Sequence, residues 1–233
     1  MIRNFLFSLF FFSGIILISI IFVPSFFLPQ KIVLLGGRIM GYWTSFCLRI
    51  FLSTKITIKG KENIINNSKF FIAASHQSMF ETFFLQTIFN SPVFILKKEL
   101  LTIPIFGWYL KKIGSISIKR NKTTKENLGF FDDIVKLVST SSKPLIIFPQ
   151  GRRLLPDDRT SFKKGASRIY EKLKIPCQPV AINSGYTWPK LGFKKANTNL
   201  TISILKPIEA GLDKKVFLKK LENDIYSELD FLN

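Results

Sequence analysis

From Phe5 to Pro29 the chain carries no charged side chain, and so long an apolar run must be withdrawn from water. As a helix it exceeds the ~20 residues needed to cross a hydrocarbon core. Arg3 supplies the basic start of a signal peptide, but the run outlasts an apolar region of ~7–15 residues and no A-x-A-like cleavage site follows it. The expectation is a membrane anchor helix over residues 1–29. Lys31, Arg38 and Arg49 follow the run, and basic flanks of this kind stay on the cytoplasmic side. The expected location is the cell inner membrane, with the rest of the chain facing the cytoplasm. A second apolar stretch, Lys31 to Leu52, is interrupted by Gly36, Gly37, Arg38, Gly41 and Arg49. Residues 30–54 read either as an interfacial or re-entrant helix or as a core helix of the globular part.

Beyond Lys55, short β-rich runs alternate with amphipathic segments. Strands are expected at 55–59, 69–74, 92–97, 115–119, 144–148, 177–183 and 200–206, and helices at 78–90, 123–139, 162–174 and 213–229. In the last of these, Phe217, Leu221, Ile225 and Leu229 recur every fourth residue with charges between them. No internal repeat or long linker divides the chain. The pattern predicts an α/β fold over residues 55–233: a single domain with a mixed, largely parallel sheet flanked by helices, plus the N-terminal membrane helix.

The formal net charge of +19 calls for an anionic partner: a membrane surface, a nucleic acid or a phosphorylated substrate. The basic residues are scattered and form no recognised nucleic-acid motif, so nucleic acid is set aside. Cys47 and Cys177 lie far apart, and His76 is the only histidine. Neither a disulfide framework nor a metal site is expected from that inventory.

His76 lies in Ser75-His76-Gln77-Ser78-Met79-Phe80-Glu81, between two apolar runs. Histidine is the side chain suited to moving a proton near neutral pH, and a neighbouring carboxylate can orient it. Glu81 is five residues on, which is not a one-face helical spacing. The two converge only if His76 occupies a strand-to-helix turn and Glu81 lies inside the following helix. Ser78-x-x-Glu81 also fits a capping box, with Ser78 as N-cap and Glu81 at N3. Both readings stand, since a capped helix start would also hold the carboxylate still.

Three further stretches end strands, where α/β domains place ligands. Gly114 to Arg120 finishes an apolar strand with Lys119 and Arg120. Leu145 to Arg153 runs from a buried strand into Phe148-Pro149-Gln150-Gly151-Arg152-Arg153. Ile175 to Gly185 is a proline-bounded strand that ends in Asn183-Ser184-Gly185. Arginine's planar fork suits phosphate, although a surface arginine is usually a solvated charge.

In this order and spacing, the stretches resemble the four sequence blocks of the glycerolipid acyltransferase family. The family's His, four residues, then an acid is matched by His76 and Glu81. Its Gly-x-x-Phe-Ile-x-Arg block is similar to Gly114–Arg120, with Ser117 for Phe. Its Phe-Pro-Glu-Gly-Thr-Arg block is similar to Phe148–Arg153, with Gln150 for Glu and Arg152 for Thr. Its Val-Pro-Val strand is loosely similar to Pro176–Gly185, and Lys98-Glu99-Leu100, Pro104 and Gly107 resemble the segment between the first two blocks. The resemblance covers roughly residues 55–210.

It implies acyl transfer from a thioester, acyl-CoA or acyl carrier protein, to the free hydroxyl of 1-acyl-glycerol-3-phosphate, giving phosphatidic acid. No cofactor beyond that co-substrate is implied, and the partners would be membrane phospholipid and a lysolipid acceptor. By the same resemblance His76 is the base, Glu81 holds its tautomer, and Arg120 and Arg153 bind the acceptor phosphate. Gly151 would allow close backbone approach, with Arg152 or Lys119 assisting. Phe148, Pro149 and Gln150 complete the substrate-binding block. Gln150 can hydrogen-bond but carries no charge. The competing functions are acylation of another lysolipid, such as a lyso-ornithine lipid, and non-catalytic binding of anionic membrane lipid.

Overall fold

The computed structural model describes residues 1–66, 68–89, 92–118, 129–141 and 143–232. Seven strands among them form one sheet: β1 (Lys55–Lys59), β2 (Phe71–Ala74), β3 (Val93–Lys97), β4 (Ile116–Ile118), β5 (Leu145–Ile147), β6 (Cys177–Ile182) and β7 (Asn199–Ile204), in the order β1-β7-β6-β2-β5-β3-β4. From β6 to β4 all neighbours are parallel. β7 reverses against β6, and β1 runs parallel to β7. The sheet is therefore mixed and largely parallel.

Helices cover both faces, and strand alternation sorts the side chains between them. In β2, Ile72 and Ala74 join a cluster with Ile146, Val180 and Ile182 beneath three helices: α1 (Ile2–Ile21), α2 (Gln30–Leu52) and α3 (Phe80–Ile88). Phe71 and Ala73 join Leu145, Cys177 and Ala181 on the other face. That face is covered by α5 (Phe130–Thr140), α6 (Lys164–Leu173) and α7 (Lys214–Phe231), numbered after the short α4 (Phe106–Lys112). Coverage on both sides is why β2 reads as a continuous apolar run. Burying each large side chain there contributes roughly 1.5–3 kcal/mol. The segment 123–139 overlaps α5, with 123–128 outside the described residues. α4 was not anticipated, being too short to show a hydrophobic period.

α1 and α2 form an antiparallel hairpin. α1 is the one helix among the described residues long and apolar enough to cross a membrane. Its Phe7, Phe11 and Gly14 are buried, with Phe7 and Phe11 edge-on to Trp188 at 5.1 and 5.0 Å. Asn4 exchanges two 2.8 Å hydrogen bonds with the backbone of Lys194, and Tyr109 Oη donates to Ser19 O at 2.7 Å. The helix is thus fastened to the domain near both ends. α2 buries Met40, Thr44, Cys47 and Leu48 along one face. A Cβ at Gly41 would stand 2.6 Å from Phe83 O of α3, so this interrupting glycine is a point of close helix contact. Residues from all three segments, 1–29, 30–54 and 55–233, contribute to one core. The hairpin's outer face is apolar and exposed: Ile2, Phe5, Leu9, Phe12, Ile16 and Ile20 on α1, and Leu35, Ile39, Tyr42, Phe46 and Ile50 on α2.

Candidate active site

Because β2, β5 and β6 are adjacent and parallel, the loops leaving their C-terminal ends meet at one edge of the sheet, where such folds hold ligands. Ser75 and His76 leave β2 on opposite faces. Ser75 Oγ accepts Ile182 N–H at 2.8 Å and donates to Ile182 O at 3.2 Å, tying the turn to β6. His76 projects to the hairpin side and stacks on Phe148, with ring centroids 4.0 Å apart and planes inclined by 17°. Its backbone N–H donates to Gln150 Oε1 at 2.6 Å, and its carbonyl accepts Leu154 N–H at 2.9 Å. The β5 loop thus holds the His76 backbone on both sides of the residue and stacks on one face of its ring, and the side chain is 12% exposed.

Glu81 lies in the first turn of α3 and is fully buried. A buried carboxylate is costly unless it is paired and hydrogen-bonded, and this one is surrounded by donors. Oε1 accepts Gln77 N–H and Ser78 N–H at 3.1 Å each and the Ser184 hydroxyl. Oε2 lies 3.2 Å from Ser78 N and 3.5 Å from His76 Nδ1. Nδ1 has no hydrogen bond within normal range among the described residues; catalytic contacts of this kind are often long before substrate binds and tighten with it. Ser78 Oγ accepts Phe80 N–H at 2.8 Å. The expected capping box is therefore displaced by one residue: Met79 is the N-cap and Glu81 stands at N2, while Ser78 Oγ takes the first helical N–H and Glu81 takes the Ser78 N–H. Bracing the helix start and facing His76 are one arrangement: the Gln77 and Ser78 N–H bonds that fix the turn also fix the carboxylate.

In the β5 loop, Phe148 is the histidine's stacking partner, and Pro149 and Gln150 are buried. The Tyr226 hydroxyl donates to Thr160 O at 2.5 Å. Burial pushes the Tyr226 phenol above its ordinary pKa, against a lowering effect of the Gln150 side chain. Gly151 has φ +72°, the left-handed region that favours glycine. Arg152 is exposed. Arg153 is half-buried, with no hydrogen bond or ion pair among the described residues. Asp158 is held below the usual carboxylate range by the Thr160 hydroxyl first, then its N–H and the charges of Arg152 and Arg159. Arg120 and Lys119 lie outside the described residues. Among the described residues no cluster of three or more His, Cys, Asp or Glu could hold a metal.

Two residues of the site carried no role in the sequence reading. Ser184 bonds Glu81, and Gln77 Oε1 accepts Gly185 N–H at 2.9 Å. The available signal was position: Ser184 lies two residues beyond the end of β6, which pairs with the strand leading to His76.

The acyltransferase family model matches residues 55–183. A 1-acyl-sn-glycerol-3-phosphate acyltransferase of Pseudomonas aeruginosa is 31% identical over 159 residues, covering 66% of this chain and 60% of that protein. One from Saccharomyces cerevisiae is 29% identical over 185 residues, covering 75% and 60%. The matched part thus spans 60% of the length of each of these curated relatives. Among solved structures, the 1-acyl-sn-glycerophosphate (LPA) acyltransferase PlsC of Thermotoga maritima superposes with a TM-score of 0.81 at 23% identity, over 100% of this chain and 98% of that one.

Proposed function

The chain belongs to the acyltransferase family, and from that premise we propose that it acylates 1-acyl-glycerol-3-phosphate to phosphatidic acid, taking the acyl group from acyl-CoA or acyl carrier protein. The observation that carries the reading is the buried Glu81 carboxylate facing Nδ1 of the only histidine, at the mouth of three parallel strands. Glu81 favours the tautomer with its proton on Nδ1, so Nε2 keeps a lone pair for the acceptor hydroxyl. As the hydroxyl oxygen attacks the thioester carbonyl, its proton passes to Nε2. The C–S bond breaks, the departing thiolate takes that proton, and a free thiol and a new ester result. Glu81 stabilises the transient imidazolium. Transfer is direct, with no acyl-enzyme.

Arg153 is a cation with no partner among the described residues, one residue from the bond that ties Leu154 to His76. It supports a phosphate-bearing acceptor over a lyso-ornithine lipid, with Arg152, Arg120 and Gly151 completing the phosphate site. Binding of anionic lipid without catalysis gives the His76–Glu81 pair nothing to do. The hairpin's exposed apolar face supports seating in a bilayer. A helix fastened at Asn4 and again at Ser19 lies along its domain, so the pose we favour is in the plane of one leaflet of the inner membrane. Lys31, Arg38 and Arg49 support contact with the anionic headgroups of the cytoplasmic leaflet.

The test is an acyl-transfer assay of the purified full chain with radiolabelled donor and a panel of lysolipids. Expected is transfer to lysophosphatidic acid in preference to uncharged or ornithine acceptors. His76→Ala should lower kcat by ~10²–10⁴-fold, the range for general acid–base catalysis. Near wild-type turnover by that variant would reject the mechanism.

A further inference from the structure

The connection from β6 to β7 has a surface that the catalytic reading does not use. Leu191 and Phe193 are 75% and 73% exposed, two residues apart in Trp188-Pro189-Lys190-Leu191-Gly192-Phe193-Lys194-Lys195. Single exposed apolar residues need no explanation, but a cluster rimmed by cations marks an interaction surface. The root of the loop is fixed. Trp188 packs edge-on to Phe7 and Phe11, and Lys195 N–H donates to Thr187 O at 2.8 Å. The Lys194 ammonium sits over the Phe7 and Trp188 rings, 5.2 and 5.6 Å from their centroids. The apolar tip is therefore presented by a braced turn.

The tip is continuous with the hairpin's outer face. Phe193 and Gly192 share a cavity of about 570 Å³ with Ile2 and Phe5, the first two members of α1's exposed apolar stripe. Lys190 and Lys195 are exposed beside it. Aromatic and aliphatic side chains alternating with lysines are the composition of segments that settle at a membrane–water interface. Charge and continuity together select one occupant.

We infer that residues 188–195 form a second membrane-insertion element, in which Leu191 and Phe193 enter the acyl region of an anionic phospholipid bilayer while Lys190 and Lys195 engage headgroup phosphates. The inference rests on the membrane seating proposed above. It makes the contact three-sided: α1, α2 and a loop that begins at Ser184, the hydroxyl donor to Glu81.

The test uses the full chain labelled with an environment-sensitive fluorophore. Cys47 and Cys177 are buried, so labelling is directed to an introduced Leu191→Cys, with Leu9→Cys on α1 and Lys172→Cys on α6 as references. Vesicles are phosphatidylglycerol–phosphatidylcholine or phosphatidylcholine alone, each with spin-labelled acyl chains as quencher. Expected is quenching at 191 and at 9 and none at 172, with Lys190→Ser/Lys195→Ser reducing quenching at 191 on the anionic vesicles only. A label at 191 that stays in water while that at 9 is quenched overturns the loop's insertion. Absence of quenching at both overturns the membrane seating itself. Equal response on both vesicle types, unchanged by the double variant, overturns the anionic preference.

Discussion

Glu81→Gln separates the two duties of one side chain. With the amide oxygen in place of Oε1, the bonds to that atom from Gln77 N–H, Ser78 N–H and the Ser184 hydroxyl survive, and only the second contact of Ser78 N–H, to Oε2 at 3.2 Å, is lost. The amide nitrogen then takes the place of Oε2, 3.5 Å from His76 Nδ1. The opposite amide orientation would set NH₂ against two buried backbone donors, and each donor left unsatisfied costs ~1–3 kcal/mol. The first orientation therefore wins. An NH₂ group can only donate, so Nδ1 must accept and the ring's proton moves to Nε2, the atom needed as the base. The expected loss is ~10²–10⁴-fold in kcat, a barrier increase of about 2.7–5.4 kcal/mol. The cap is kept, and the loss of carboxylate charge at the helix start costs only ~0.3–2 kcal/mol of stability. Glu81→Asp retains the charge and should retain part of the activity. Initial rates of acyl transfer and thermal melts of the three proteins decide the matter. A Glu81→Gln enzyme within about tenfold of wild type, below the general acid–base range, would refute the tautomer argument and leave Glu81 as a cap alone.

Two further outcomes follow from packing and charge. Gly41→Ala sets a methyl 2.6 Å from Phe83 O and Thr87 Cγ2; overpacking of ~1–3 kcal/mol outweighs a helix-propensity gain of ~1 kcal/mol, so the melting midpoint should fall, and an unchanged or raised midpoint counts against close α2–α3 contact. Asp158 has a depressed folded-state pKa, so its contribution is complete above the unfolded value of ~3.9 and is lost as pH falls through the lower folded value. The gap in melting temperature between wild type and Asp158→Asn should therefore be widest above pH ~4 and close in stronger acid; a constant gap would show that the carboxylate's charge is immaterial.

The central strands were legible because both their faces are covered: Phe71-Ile72-Ala73-Ala74 has no polar residue to confuse the period. The reversal of β7 against β6 was not legible, since nothing local to Asn199–Ile204 records which neighbour it meets. α4 escaped notice because its seven residues include an exposed Trp108 and a buried Tyr109 side by side. His76 and Glu81 stood out as a unique histidine and a spaced acid. Ser184 could not, because its meaning arises only when β6 is laid beside β2. In the hairpin the apolar character was plain, but that Gly14 receives the Trp43 indole and Gly41 the α3 backbone is a property of packing between segments.

His76 and Phe148 leave the sheet on the side covered by α1, α2 and α3. In the proposed pose the base and the acceptor lipid then occupy one two-dimensional phase. Encounter depends on lateral diffusion, and the concentration that matters is the mole fraction of lysolipid in the leaflet. The water-borne thioester carrier alone arrives in three dimensions, so the two substrates obey different concentration scales at a single imidazole.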